Sequence, residues 1–321
     1  MLILSEFDIQ FVLPFTTPMV TVLHLHPSLE PRVRSGNALK VEQLVSADPA
    51  DNVIVPTADY FDSFGNRCSR FVAPPGHLRL SGSNIIEAEP YPDPVYTQAR
   101  QMAIEDLPSE VFQFLLPSRY CEVDRFGPIA QDLFGAVPEG WARATAIRDW
   151  VHDKVTFNYN AARSTKTAMD VFIERVGVCR DFQHLAISLS RCMNIPARYV
   201  TGYIGDIRMP YSGPGDFSAW YQVFLDGQWM DLDARHNYPR LGRVLMATGR
   251  DAADVAITTS FGAAPLTYFY VESNEVDETG NKLARPASST AAATGTPPPA
   301  NTPTQTNGSQ FSPTQTQSAT S

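Results

Sequence analysis

The chain predicts an α+β fold in which an all-β stretch comes first, helices follow and an antiparallel sheet closes the order. Three observations carry this. Apolar residues alternate with period two in the first hundred residues, recur at helical spacing between 141 and 193, and return to a turn-linked strand pair after 218. Helices that precede an antiparallel sheet belong to α+β rather than to a parallel, doubly wound α/β fold.

In chain order, Phe7, Ile9, Phe11 and Leu13 alternate, as do Met19, Thr21, Leu23 and Leu25. The run Phe61-Asp62-Ser63-Phe64-Gly65-Asn66-Arg67 carries a hairpin signal, and strand-like pieces continue to the Pro-rich break at Tyr91–Pro94. Residues 1–100 are therefore expected to form a β-rich amino-terminal domain. His24 and His26 share a strand face without a third ligand, so they are expected at the surface. Helices are predicted over Trp141–Val155, through Ala144, Ile147 and Val151, and over Thr167–Arg175. A third helix begins at Cys179 and buries Phe182, Leu185, Ala186, Leu189 and Met193. Asn194-Ile195-Pro196 stops it, and strands follow at Ala197–Ile204, Ser218–Leu225 and Gln228–Asp233, the last two joined by Asp226-Gly227. The core domain is expected over 101–277. Residues 278–321, Ser/Thr/Pro/Gln-rich and uncharged after Arg285, are expected to be a disordered tail.

Composition narrows the function classes. Thirty-four acidic against 25 basic residues give a net charge of −9, which argues against nucleic acid or an anionic membrane as partner. No run approaches the length of a spanning helix. The amino terminus lacks a basic, apolar leader pattern, so the expected location is the cytoplasm. Four cysteines, Cys68, Cys121, Cys179 and Cys192, lack CxxC or zinc spacing, so neither disulfides nor a metal is expected. No phosphate loop, dinucleotide fingerprint or calcium loop is present, and no cofactor is expected.

The residue that points to chemistry is Cys179. In Gly177-Val178-Cys179-Arg180-Asp181-Phe182 an irregular stretch gives way to a helix, which places the thiol at the helix's positive end and is expected to lower its pKa. The plain alternative is a small buried hydrophobe. The hairpin supplies partners. With a two-residue turn, paired positions sum so that Ser218 faces Arg235 and Trp220 faces Asp233, making Ser218 and Asp233 diagonal neighbours on one face.

The blocks Gly177–Phe182, Ile195–Tyr203, Ala219-Trp220 and Asp233 together resemble the bacterial transglutaminase-like superfamily of cysteine enzymes. Pro117–Cys121 and Gly249–Val255 also look like that family, so the resemblance covers roughly 105–275 and the first hundred residues look like the domain that often precedes it. The resemblance implies a papain-like core, acyl transfer or amide hydrolysis on a peptide or protein, Cys179 as nucleophile and Asp233 as the orienting carboxylate. Where the family has its base, His before Ala-Trp, this chain has Ser218, and serine accepts no proton at neutral pH.

His236 is the candidate replacement, though a regular strand would turn it away from Asp233 and a bend is needed. His184 faces away round the helix and is read as structural. Arg180 and Trp220 are cleft candidates, against the default roles of surface ion pair and core aromatic. Asp251 and Asp254 are read as caps. Three readings follow: a cysteine acyl-transfer or amide-hydrolysing enzyme, a catalytically impaired relative that binds peptide in the old cleft, and a purely structural module. The oligomeric state is not readable from these features.

Overall fold

The computed structural model describes residues 1–36, 38–210, 213, 215–286 and the strand 314–316. The alternating segment at the start becomes one long strand, β1 (Leu2–Leu13), whose odd-numbered positions are buried. With β2 (Thr17–Thr21), β3 (Lys40–Leu44), β4 (Arg67–Ala73) and β5 (Gly76–Glu87) it forms two sheets. The predicted hairpin is present: Phe61 pairs with Arg67, and Gly65 takes a positive φ of 80° in the loop.

The helical part consists of α1 (Gly127–Phe134), α2 (Trp141–Lys154), α3 (Ala168–Glu174) and α4 (Cys179–Cys192). Thr167 caps α3 in a reciprocal pair with Asp170, and Arg175 ends it in the left-handed region at φ 58°. The expected apolar stripe on α4 is there, but the helix is enclosed on every side. Gln183, His184, Ser188, Ser190 and Arg191 are as buried as Phe182 and Leu185. Such a helix cannot shed its polar side chains into water, and Gln183, His184, Ser188 and Arg191 find partners inside, while Ser190 Oγ has none among the described residues.

Four antiparallel strands pack on α4: β6 (Ala197–Ile204), β7 (Phe217–Leu225), β8 (Gln228–Leu232) and β9 (Arg243–Gly249), in the order β8-β7-β6-β9. The β7–β8 register follows the predicted pairing, with Leu225 opposite Gln228 and Tyr221 opposite Leu232, and Asp226 and Gly227 hold φ of 46° and 77° at the turn.

The domain division differs from the expected one. Two strands after the core sheet, β10 (Thr258–Ser260) and β11 (Leu266–Val276), return to the amino-terminal sheets, β10 beside β2 and β11 along β1 from Leu2 to Phe11. Tyr203, Phe217, Val244 and Met246 from the core sheet pack into the same cluster as Phe7, Phe11 and Leu80. The β part is therefore assembled from both ends of the chain. Periodicity shows that a segment is a strand, not which sheet it joins.

The ordered body also runs past 277. Lys282 bridges to the backbone of Val276 and pairs with Glu6 and Glu272 at 3.1 and 2.6 Å. Of the expected tail, residues 287–313 and 317–321 lie outside the described residues, while the strand 314–316 runs parallel to β10. His24 is not at the surface: it is buried, with Nε2 2.7 Å from Ser69 Oγ and 3.7 Å from Asp59.

Gly202 lies where β6 meets β9 across a register shift. A Cβ there would stand 2.1 Å from the Val244 carbonyl oxygen and 2.7 Å from the Trp220 ring. Gly202→Ala is therefore expected to cost about 3 kcal/mol through forced strand separation. Urea unfolding checks this, and a loss under 1 kcal/mol would show that the sheet absorbs the methyl group.

Candidate active site

The chain enters α4 through a two-residue parallel bridge, Val176–Gly177 against Thr156–Phe157. A Cβ on Gly177 would lie 2.7 Å from that of Asp181, so glycine is what lets the Asp181 carboxylate fold back over the helix start. There it accepts the Val178 N–H at 3.0 Å. Arg180 donates to the other carboxylate oxygen at 3.2 and 3.1 Å and to the Arg163 carbonyl at 2.6 Å. Both partners of the pair are buried. This corrects two expectations, since the pair is not on the surface and Arg180 lines no cleft. Its work is to fix the turn from which the thiol projects.

The Cys179 thiol is 1% exposed. Burial pushes it up to about 12, against the pull of the neighbouring Arg235 charge. The expected lowering at a helix terminus is thus reversed, because lost hydration of the thiolate outweighs the helix dipole. Arg235 Nη1 donates to Sγ at 2.9 Å, and its guanidinium lies 3.8 Å from the centre of the Phe157 ring. Tyr159, 39% exposed, packs edge-on against Phe157 at the outer side.

The carboxylate partner stands where β8 ends. After Leu232 the chain turns, and the Asn237 N–H returns to the Asp233 carbonyl at 3.0 Å. This is the bend that His236 required. Asp233 Oδ2 receives His236 Nδ1 at 2.8 Å and faces Arg243 Nη2 at 3.5 Å. Oδ1 accepts from Gln183 Nε2 at 3.2 Å and from the Arg235 and His236 N–H groups at 2.9 and 3.1 Å. Burial works against ionisation here, yet the hydrogen bonds and charge of His236, with Arg243, hold Asp233 well below the usual carboxylate range.

The structure therefore brings Cys179, Asp233 and His236 into one neighbourhood, with Arg235 between them in sequence and on the sulfur in space. Ser218 sits on β7 opposite Gly202 and is partly buried. Trp220 is 1% exposed, donates its indole N–H to Asp231 at 2.6 Å and lies under Arg243; it belongs to the sheet's interior and not to a cleft.

Two residues of the candidate site were missed. Gln183 lies one helical turn after Cys179 on the same face, where a polar residue amid apolar ones is the signal. It ties Ala219 O and Asp233 together through Nε2 and takes the Ala234 N–H on Oε1. Arg235 was legible as the residue paired opposite Ser218, but that register lapses once β8 ends.

His184, Asp251 and Asp254 take the structural places expected of them. His184 is fully buried, stacks on Tyr120 at 4.9 Å and accepts the Ala252 N–H at 3.1 Å, and burial keeps it well below the usual histidine pKa. Asp251 receives the Tyr120 and Ala253 N–H groups, and Asp254 that of Arg250, as capping residues do. Among the described residues no His, Cys, Asp and Glu gather into a metal-binding group, and no helix is long and apolar enough to cross a membrane.

A cysteine at the start of a buried helix, packed on an antiparallel sheet whose strand end carries an Asp–His pair, groups the residue types that nucleophilic cysteine chemistry needs. Residues 128–234 match the model of the transglutaminase-like superfamily, and the core that contains them has a transglutaminase-like fold. A solved structure of a candidate cysteine protease from Cytophaga hutchinsonii superposes with a TM-score of 0.72 at 27% identity, covering 89% of this chain and 94% of that one. An uncharacterized protein of Mycobacterium leprae is 28% identical over 211 residues, 61% of this chain and 73% of the relative. One from Mycobacterium tuberculosis is 27% identical over 217 residues, 60% and 68% respectively.

Removing the carboxylate should unseat its donors. Asp233→Ala is expected to cost about 3–5 kcal/mol, because Arg243 and His236 are left without their counter-charge. Urea unfolding measures it, and a cost below 1 kcal/mol would show that the network is not what holds this corner. Alkylation of native Cys179 by iodoacetamide is expected to be slow at pH 7 and to rise about tenfold per pH unit up to pH 10. A plateau below pH 7, read by peptide mass spectrometry, would overturn the assignment of a protonated resting thiol.

Proposed function

We propose that the protein is a cysteine-dependent enzyme that transfers or hydrolyses the acyl group of a peptide or protein amide, with Cys179 as nucleophile and His236 as its base. The observation that carries this reading is the 2.8 Å hydrogen bond from His236 Nδ1 to Asp233. A carboxylate on Nδ1 leaves Nε2 as the proton acceptor and stabilises the imidazolium that forms, which is the role the family histidine would play from position 218.

In this reading Arg235 guards the resting thiol. Substrate displaces it, the thiol proton passes to His236 Nε2, and sulfur attacks the carbonyl carbon. The Cys179 backbone N–H, first in its helix and without an intrahelical acceptor, faces the oxyanion. The acyl group then rests on sulfur as a thioester until water or an amine takes it. The similarity to the Cytophaga hutchinsonii candidate protease supports a peptide substrate.

A second reading rests on a different observation: the closed thiol together with serine at 218 suits a cleft that binds a peptide without turning it over. Incubation with p-nitrophenyl acetate separates the two. The first reading expects an acetyl adduct on Cys179 by intact-mass and peptide analysis, none in Cys179→Ala, and a rate about 10²–10⁴-fold lower in His236→Ala. Under this reading Ser218→His adds little. An adduct that forms only in Ser218→His would establish the second.

A further inference from the structure

Asp216 lies immediately before β7, two residues ahead of Ser218, the position at which the resemblance puts the family's base. Asp216 as a residue is half-buried, but its carboxyl Oδ1 is shut off from water and has no hydrogen-bond partner. Its charge would act on the Cys179 thiol and on Tyr159, and Arg235 is the cation that acts on it. Those three groups, with the thiol already on Arg235, make one electrostatic cluster. Ionised carboxylates at this depth are normally paired and hydrogen-bonded at both oxygens; this one has the Phe217 N–H but leaves Oδ1 unbonded, and burial pushes it well above the usual carboxylate range. Burial therefore favours the carboxylic acid, which has a proton to give, over the carboxylate.

We infer that Asp216 is the general acid of the reaction, donating its proton to the leaving amine from two residues ahead of the position that the absent histidine would have used. This rests on the function proposed above and divides the proton work between two groups. During attack the thiol proton goes to His236 Nε2 and the C–S bond forms. As the C–N bond breaks, the leaving nitrogen takes the proton of Asp216, whose carboxylate is then held by Arg235. In the second half the carboxylate takes a proton from the attacking water, the C–O bond forms, and the thioester C–S bond breaks. The departing sulfur recovers its proton from the His236 imidazolium. Each group ends as it began.

The substrate's leaving group tests this. An amide nitrogen needs a proton to depart, whereas p-nitrophenolate does not. In Asp216→Asn, single-turnover acylation by a peptide p-nitroanilide is expected to slow by 10²-fold or more, while acylation by p-nitrophenyl acetate stays within about threefold. Hydrolysis of the acetyl-enzyme should slow as well, so the burst persists and the steady state falls. Equal loss on both substrates, or none on either, would overturn the inference. Failure of the function itself looks different, because the wild type would then give no burst with the ester.

Should Asp216→Asn not fold, the wild type carries a second test. The ratio of anilide to ester acylation rates should fall as pH rises through the titration of Asp216, since Cys179, His236, Arg235 and Tyr159 act on both substrates alike. A ratio constant from pH 6 to 10 would overturn the assignment.

Discussion

The ionised carboxylate of Asp233 is the interaction on which the core is organised. It is 3% exposed, and a charge so far from water survives only where donors replace its hydration shell. Those donors come from every part of the core. Gln183 reaches it from α4, Arg243 from β9, and two backbone N–H groups and an imidazole from the turn after β8. The helix that carries the thiol and the strand end that carries the imidazole are thus tied to the same two oxygens. The active-site geometry follows from satisfying that charge, not from packing alone.

The same constraint explains the turn. A strand continued past Leu232 would send His236 to the opposite face and leave Asp233 with no donors from its own chain. Folding back supplies three of them at once, through the N–H of Arg235, the N–H of His236 and its ring. Arg235 then projects the other way, over Phe157 and onto the sulfur. Closing the thiol and orienting the histidine are therefore two results of one backbone bend.

Most of the fold was legible because it is written in local periodicity. Helices α2 and α3, the limits of β6 and the Asp226-Gly227 hairpin follow directly from spacing and turn chemistry. The return of β10 and β11 to the first sheets was not, because pairing over more than 200 residues leaves no local trace. In the site, Cys179, Asp233 and His236 were legible as residue types at telling positions. The burial of Arg180, Trp220 and the thiol was not. Each depends on enclosure from several elements at once: Trp220 is covered by Arg243 and Asp231, and Arg180 by Asp181 and the loop at Arg163.

Serine at 218 then reads as a redistribution of roles. The imidazole of a cysteine enzyme performs two tasks: it takes the thiol proton, and it returns a proton to the leaving group. When one residue does both, it must stand between sulfur and leaving group, which is what a side chain at 218 would do. Here the imidazole reaches its carboxylate from the far side of the turn, and in the proposed division Asp216 supplies the proton for the leaving group. Two groups whose environments push their protonation in opposite directions suit a division of acid and base, as paired titrating groups do elsewhere. The arrangement also accounts for Arg235. In the proposed mechanism Arg235, bound to sulfur at rest, is also the cation that acts on Asp216 once that carboxyl has given up its proton, so one residue would close the site before reaction and stabilise the charge that reaction creates.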